Sequence, residues 1–238
     1  MLAFSLGISL SALIFGVYYH IQHKNFYLAL ESKMLQILYS LAMAHDNETG
    51  NHILRTQAYV KVLAKRLNTM NVNTSLTKQM IEQICLAAPL HDIGKVGIPN
   101  HILKKVSTLN EAEWEIMKTH PIIGESILSS YINGSSKVSG TLKYAIDIAA
   151  SHHEHWDGNG YPKGIKGQEI PIAARIMALA DTYDALISHR VYKDPWTHED
   201  AMKHIINDKN LRFDPLIVEA FILEQDQFIV IANQYRDH

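Results

Sequence analysis

Apolar residues recur every three or four positions along most of the chain, and strong alternation of polar and apolar residues is absent from the sequence. This spacing puts apolar side chains on one face of an α-helix, so the sequence predicts helices rather than strands. The clearest helical stretches cover residues 52–67, 76–92, 142–149, 172–188, 197–207 and 215–224. Thr108 and Glu111 form a capping-box pattern before a further helix, and Pro121 suits the first turn of another. We therefore expect an all-α domain, a bundle of seven or more helices.

The beginning of the chain has a different character, because residues 1–19 carry no charge. A helix of about 20 consecutive apolar residues spans the core of a bilayer. A cleaved signal peptide normally has a basic start, which this tract lacks, whereas Tyr18 and Tyr19 at its end and Lys24 after it form interfacial and basic flanks. We predict a membrane-spanning helix in residues 1–24, anchored through residues 1–19, with a buried core helix as the alternative. The positive-inside tendency then puts the bulk of the chain on the cytoplasmic side of the cell inner membrane.

A second apolar pattern follows in residues 27–44. Its main seam repeats at spacings of four and three over about two and a half heptads, less than the three to four that identify a coiled coil. The seam consists of Leu30, Met34, Ile37, Leu41 and Ala44. A neighbouring stripe consists of Leu28, Leu35, Leu38 and Ala42. Residues 25–47 are therefore predicted to form a linking helix, and both a core position and a homodimer seam in residues 27–44 stay open.

Composition narrows the class of protein. The 238 residues are 47% apolar and 19% charged, which suits one folded domain of catalytic size and excludes wholesale disorder. A net charge of −2 gives no electrostatic reason to expect a nucleic acid polymer as a partner. The single thiol, Cys85, excludes a disulfide framework and a zinc site made of cysteines. Histidine is unusually frequent, with 14 residues, and imidazole is the commonest metal ligand in proteins.

Several ionisable side chains fall on the apolar faces of their own helices. They are His91, the pair His152 and His153, and the carboxylates Asp181 and Asp184. A charged group that faces a core is costly unless it is paired or bound to a metal. One inward histidine is more often a hydrogen-bonded core residue than a ligand. Several from separate helices are hard to satisfy without a cation, and imidazoles mixed with carboxylates suit Fe, Mn or Zn.

Two long motifs extend this set of residues. The chain has HDIGKVGIP at residues 91–99 and HHEHWDGNGYPKGIKGQEIP at residues 152–171, with shorter pieces at residues 46–60, 120–128, 174–186 and 188–193. In this order they resemble the HD-GYP family of cyclic di-GMP phosphodiesterases over residues 46–214, most of the chain. The resemblance implies an HD-domain helical bundle, with a metal-dependent phosphohydrolase domain in residues 48–238.

The resemblance also implies roles for individual residues. The metal ligands would be Glu48, His52, His91, Asp92, His120, His152, His153 and Asp181, holding two or three divalent ions, with Fe or Mn expected. Asp92 would bridge two ions and Glu48 would serve a third, although a helix broken at Gly50 and a solvated glutamate are the alternative. Lys95 would contact the scissile phosphate and act with Asp92 in catalysis. The guanine and the phosphates of the ligand would be held by Tyr161, Asp184, Arg190 and Lys193.

The implied activity is metal-dependent hydrolysis of cyclic di-GMP to linear pGpG, with GMP as a further product. Two divalent ions can activate a water molecule and stabilise in-line displacement at phosphorus. A signalling module that binds cyclic di-GMP with slow turnover is one alternative, and measuring turnover against binding separates the two. A phosphohydrolase of another nucleotide is the second alternative, which a panel of nucleotides would separate.

Overall fold

The computed structural model describes residues 13–23, 26, 30, 33–40, 50–70, 76–130, 140–188 and 194–236. The chain divides into two compact units, residues 1–41 and 42–238. The domain boundaries expected at residues 24 and 47 stay predictions. The homodimer seam of residues 27–44 also stays a prediction, because only part of it falls within the described residues.

The first unit is helical at residues 13–23 and 33–40. A helix over residues 13–23 rises about 16 Å, roughly half the thickness of a bilayer core. In the described ranges, no helix has both the length and the apolar character needed to cross a membrane. The prediction of a membrane-spanning helix in residues 1–24 is therefore wrong.

The second unit is built from α-helices. They are α1 (Gly50–Thr69), α2 (Lys78–Ala87), α3 (Asn100–Leu103), α4 (Glu111–Met117), α5 (His120–Ser130), α6 (Gly140–Ser151), α7 (Ile172–Ile187), α8 (His198–Asn207), α9 (Pro215–Leu223) and α10 (Gln225–Gln234). Further 3₁₀ turns span Ala88–Leu90, Ile93–Gly97 and Gly167–Glu169. The prediction of an all-α bundle with seven or more helices is confirmed.

Helix α7 forms the centre of the second unit, and α1, α6, α8 and α9 pack against it. Most of its residues are buried, and four of these are alanines, whose small side chains let the neighbouring helices come close. The rings of Tyr59 on α1 and Phe228 on α10 stack with centroids 4.4 Å apart, and Tyr183 of α7 meets both edge-on. The packing on several sides of α7 fixes the places of its two carboxylates, Asp181 and Asp184.

The predicted helix of residues 76–92 ends earlier than its apolar pattern indicates. Helix α2 ends at Ala87, and the chain continues as the 3₁₀ turn Ala88–Leu90. Pro89 has no backbone N–H to donate and cannot continue the α-helical hydrogen bonds. His91 and Asp92 therefore follow a break in the helix instead of forming its last turn.

The capping box before α4 lies two residues later than predicted. Asn110, rather than Thr108, accepts a hydrogen bond from the backbone N–H of Glu113 at 2.9 Å. In return, the Glu113 carboxylate accepts a hydrogen bond from the backbone N–H of Asn110 at 2.8 Å. These reciprocal bonds fix the start of α4, a short helix that has no fully buried residue.

Candidate metal centre

Imidazole and carboxylate side chains from five segments of the second unit converge on one place. They come from α1 (His52), the turn after α2 (His91 and Asp92), the start of α5 (His120), the end of α6 (His152 and His153) and α7 (Asp181). Their ligand atoms form two groups, and the atoms within each group lie within 4.8 Å of one another. The Asp92 group is Asp92, His120, His152 and His153, and the Asp181 group is His52, His91 and Asp181.

The Asp92 carboxylate touches both groups. Its Oδ1 atom lies 3.1 Å from Nε2 of His120 in the Asp92 group. Its Oδ2 atom lies 3.1 Å from Nε2 of His91 in the Asp181 group, and that nitrogen is 4.0 Å from Oδ1 of Asp181. A carboxylate in this position can offer one oxygen to each of two neighbouring cations, as in sites with two metals about 3.5–4 Å apart. The geometry is compatible with a bridging role for Asp92.

Backbone carbonyls hold the rings of three histidines. Nδ1 of His120 donates to the Met117 carbonyl oxygen at 2.8 Å. His91 and His152 donate in the same way, at 3.2 and 3.0 Å, to carbonyls three and four residues earlier in the chain. A neutral ring that carries its proton on Nδ1 has its lone pair on Nε2. Each of these rings therefore turns its Nε2 atom toward the Asp92 carboxylate.

The Asp92 group contains acceptors that face one another. Among the described residues, the buried atoms Nε2 of His120, Nε2 of His152 and Oδ1 of Asp92 have no hydrogen-bond partner. Nε2 of His120 and Oδ1 of Asp92 lie 3.1 Å apart, and two electron-pair donors at this distance need a proton or a metal ion between them. These side chains fit a divalent metal ion, which accepts electron pairs from nitrogen and oxygen alike.

Burial favours the metal-binding form of the paired histidines. It lowers the pKa of His152, although the nearby Asp92 carboxylate opposes this effect. Burial, together with the neighbouring rings of His152 and His120, holds the pKa of His153 well below its usual value. Neutral imidazole is the form that binds a metal, so both rings are in the competent state at neutral pH.

The two carboxylates of the centre are held in their ionised form. Burial raises the pKa of Asp92, but Lys95, His91 and the other ring contacts outweigh it, and the pKa stays well below its usual value. Burial also raises the pKa of Asp181, but His91 and His52 outweigh it and the pKa is lowered. Nζ of Lys95 lies 2.9 Å from Oδ2 of Asp92. The centre thus combines two anionic ligands with an adjacent cation.

Gly94 lets the turn after α2 lie directly against α5. A Cβ atom at this position would be 1.9 Å from the His120 carbonyl oxygen and 2.5 Å from the Gly124 backbone nitrogen. Only a residue without a side chain fits such an approach. Gly94 therefore allows Asp92, two residues earlier, to reach His120.

The loop after the paired histidines packs against the Asp92 group. A Cβ atom on Gly160 would lie 2.2 Å from the His155 backbone nitrogen and 2.5 Å from the His153 carbonyl oxygen, so the loop passes there only as glycine. The next residue, Tyr161, donates its backbone N–H to the His153 carbonyl at 3.1 Å. Burial, followed by the charge of Asp92, raises the pKa of Tyr161, which is therefore a neutral phenol. Its ring lies beside the metal centre.

Two further residues beside this loop were missed by the sequence analysis. Trp114 on α4 is 44% exposed, and its ring meets that of Tyr161 edge-on, with centroids 6.3 Å apart and 77° between the planes. The buried Glu154 accepts a hydrogen bond from the backbone N–H of Lys163 at 2.7 Å and so holds the far side of the loop. Glu154 belongs to the long motif of residues 152–171, but the letters alone do not tell which polar residue of a motif is buried.

Asp184 and Asp181 lie at opposite nitrogens of the His52 ring. Nδ1 of His52 is 2.8 Å from Oδ2 of Asp184, whereas its Nε2 is 3.9 Å from Oδ1 of Asp181. Asp184 also binds Arg55, which the sequence analysis missed although it follows His52 by three residues on the same helix. The structure therefore places Asp184 among protein side chains, and its contact with substrate stays a prediction.

Three predicted site residues, Glu48, Arg190 and Lys193, lie outside the described residues. The third metal ion assigned to Glu48 therefore stays a prediction. The same holds for the binding of phosphates by Arg190 and Lys193.

Comparison with known proteins adds to this geometry. A family model described as an HD domain matches residues 31–217. A Vibrio cholerae protein named "Probable cyclic di-GMP phosphodiesterase" is 46% identical over 209 residues, which cover 87% of this chain and 47% of that protein. Another from the same organism, named "Cyclic di-GMP phosphodiesterase", is 47% identical over 201 residues, 84% of this chain and 41% of that protein. The chain thus spans less than half the length of these two relatives.

Among solved structures, a cyclic GMP-AMP specific phosphodiesterase of Vibrio cholerae is similar to this chain with a TM-score of 0.55. The two share 19% sequence identity, and the match covers 84% of this chain and 52% of that one. This likeness shows a common fold.

Proposed function

This chain belongs to the HD domain family, and we propose on that basis that it hydrolyses the cyclic dinucleotide cyclic di-GMP in a metal-dependent reaction. One observation carries the proposal: the two oxygens of Asp92 lie 3.1 Å from ligand nitrogens of two adjacent groups. Paired metal sites of this kind serve displacement at phosphorus. The identity of 46–47% to two proteins named as cyclic di-GMP phosphodiesterases supports the choice of substrate.

The Asp92 group and the Asp181 group would each hold one divalent ion, with the Asp92 carboxylate between them. When bound, such ions activate a water molecule and offset negative charge on the phosphodiester. A donor set of imidazoles and carboxylates suits Fe, Mn or Zn, and the family resemblance favours Fe or Mn among these. A third ion at Glu48 is part of the proposal and has no support from the described residues.

The chain's own side chains would bind and orient the substrate. Lys95, whose side chain is 18% exposed and lies beside Asp92, would offset charge on an oxygen of the scissile phosphate. Tyr161 and Trp114 offer aromatic surfaces on which a purine base can stack. Arg190 and Lys193 would bind further phosphate oxygens, for which the planar guanidinium of arginine is well suited.

Cleavage of one of the two diester bonds gives linear pGpG, and a second cleavage gives GMP. In each cleavage a water molecule would attack phosphorus and form a new P–O bond as the bond to the 3′-oxygen breaks, while Lys95 offsets charge on the phosphoryl oxygens. The cytoplasmic location of the catalytic part stays a prediction.

The test is turnover by the full chain, purified without oxygen and supplied with Mn(II) or Fe(II). Chromatography separates the products formed from cyclic di-GMP and from cyclic GMP-AMP, while binding of both dinucleotides is measured in parallel. Release of pGpG, faster from cyclic di-GMP, is the expected result. Binding without any product would favour a signalling module, and faster cleavage of cyclic GMP-AMP would replace the proposed substrate.

A further inference from the structure

We infer that Asp184 is a positioning residue of the metal centre: together with Arg55, it fixes the ring of His52, and through it the ion held by the Asp181 group. The inference rests on the proposed metal-dependent function. It assigns to Asp184 a role other than the contact with guanine or phosphate that the family resemblance implies.

The contacts of Asp184 form a buried network of hydrogen bonds between α1 and α7. Nδ1 of His52 donates to Oδ2 of Asp184 at 2.8 Å. Arg55 donates two hydrogen bonds to the same carboxylate, from Nε to Oδ1 at 2.6 Å and from Nη2 to Oδ2 at 3.0 Å. Asp184 and Arg55 are only 1% and 3% exposed. A bidentate pair of this kind sets the position of the carboxylate, and the carboxylate sets the tilt of the imidazole.

Both oxygens of Asp184 are already engaged by donors of the protein. Besides His52 and Arg55, the Ser188 hydroxyl donates to Oδ2 at 3.2 Å. A substrate group would have to displace one of these donors and reach a carboxylate that solvent does not touch. Displacement would leave a buried charge poorly paired, which is strongly unfavourable. The arrangement therefore suits support of His52 better than recognition of a ligand.

His52 differs in this respect from the other ligands with known ring contacts. His91, His120 and His152 are held by neutral carbonyls three or four residues earlier in the chain. His52 is held by a charged side chain 132 residues away, on a different helix. A carboxylate partner makes the imidazole a more basic ligand than a carbonyl does. The ion of the Asp181 group should therefore be the one that depends on Asp184.

This network of hydrogen bonds continues to the C-terminal end of α10. Nη1 of Arg55 donates to the Tyr235 carbonyl oxygen at 2.6 Å. With Nε and Nη2 bound to Asp184, this bond engages the third nitrogen of the guanidinium. Arg55 is thereby held at both ends of its planar group, which keeps the support of His52 rigid.

The decisive variant is Asp184→Asn, which keeps the shape of the side chain and removes its charge. Loss of such an outer partner typically weakens metal binding about 10- to 100-fold. We expect that loss at the Asp181 group alone, while the Asp92 group keeps its ion. The measurement is titration of the metal-stripped full chain with Mn(II) by calorimetry, combined with elemental analysis of the loaded protein.

Asp214→Asn is the matched control. Asp214 is likewise buried and paired with an arginine, Arg175, but it caps the start of α9 and touches no member of either ligand group in the described structure. This variant should melt at a lower temperature and still bind both ions with wild-type affinity. The comparison separates a buried ion pair that only stabilises the fold from one that acts on the metal.

A second measurement does not depend on folding of a variant. Nuclear magnetic resonance of isotope-labelled histidine in the wild-type, metal-free chain reports which nitrogen of His52 carries the proton. We expect the proton on Nδ1, in a strong hydrogen bond to a carboxylate. A proton on Nε2 would overturn the inference.

The outcomes of the titration are distinct. A folded Asp184→Asn variant that binds two ions as tightly as the wild type would overturn the positioning role, as would equal weakening of both ions. A wild-type chain that binds two ions but cleaves no cyclic dinucleotide would overturn the proposed substrate and leave the positioning role standing. A wild-type chain that binds no ion would remove the proposed metal centre and the role of Asp184 with it.

Discussion

The ring of Tyr161 stacks on the ring of His153, with centroids 4.7 Å apart and 24° between the planes. The backbone N–H of Tyr161 also donates to the His153 carbonyl, so the tyrosine is tied to this member of the Asp92 group at two points. A movement of the loop that would contact the substrate should therefore also move a side chain that would bind the metal.

Replacing Tyr161 with Ala removes one aromatic face from the centre. Stacking of a base on an aromatic side chain is worth about 1–3 kcal/mol, so we expect KM for cyclic di-GMP to rise roughly 5- to 150-fold. Tyr161→Phe keeps the ring and should stay close to the wild type in steady-state assays. Equal damage by both changes would show that the hydroxyl group, and not the stack, matters.

Trp114 offers a second test of base recognition. Because it contacts Tyr161 and is 44% exposed, Trp114→Ala should raise KM for cyclic di-GMP and leave cleavage of bis(p-nitrophenyl) phosphate, a diester without bases, unchanged. Trp114→Phe should recover part of the loss. A parallel fall on both substrates would instead point to a disturbed metal centre and contradict a role in binding the base.

Asp92→Ala should affect both ions, since the carboxylate lies between the Asp92 group and the Asp181 group. We expect the metal content of the purified chain and the turnover of cyclic di-GMP to fall together. His120→Ala, which removes a ligand from one group, should weaken one ion more than the other. Asp157→Ala alters a carboxylate that bonds only to Asn159 in the described structure and serves as the control. Full metal content and turnover in Asp92→Ala would refute the assigned centre.

Gly94→Ala should misplace the turn that carries Asp92. The added methyl group would meet the backbone of His120 and Gly124, which cannot move aside as a flexible side chain can. We expect a loss of about 1–3 kcal/mol in the free energy of unfolding, by urea titration, together with weaker binding of Mn(II). At Gly97 the same change meets only side-chain atoms of Ile123, so Gly97→Ala should be milder. Equal effects of the two variants would argue against the close approach at Gly94.

The thiol of Cys85 should respond to pH in a defined direction. Burial raises its pKa to about 11, so the folded chain holds the thiol proton at a pH where the unfolded chain has begun to lose it. The free energy of unfolding should therefore decline as the pH rises above the ordinary thiol range toward 11, and Cys85→Ala should lack this part of the decline. Iodoacetamide should label the native thiol slowly and the urea-unfolded thiol fast. Fast labelling of the native chain would contradict the burial.

The convergence of these candidate ligands could be predicted in part from the sequence, because four of the seven stand in the adjacent pairs His91–Asp92 and His152–His153 and helical register puts Asp181 on an inward face. The positioning role proposed for Asp184 could not be predicted from the sequence. Register shows that it shares a side of α7 with Asp181, but its partner Arg55 is 129 residues away, and no local pattern reveals that pairing.

The wrong predictions have local physical causes. Apolar composition at the start of the chain indicates affinity for a nonpolar environment, whereas a span also requires helix length, which residues 13–23 do not provide. The apolar spacing of residues 76–92 continues through a proline that ends the α-helix. Thr108 and Glu111 have the letters of a capping box, but Asn110 and Glu113 make the bonds.

Backbone carbonyls three or four residues earlier in the chain orient three of the imidazoles without any bound cation. An emptied centre should accordingly keep much of its shape, so that one divalent ion can be exchanged for another without refolding. The metal that occupies the centre would then depend on which metals are available around the protein. A change in that supply would change the rate of the proposed hydrolysis without changing the amount of protein.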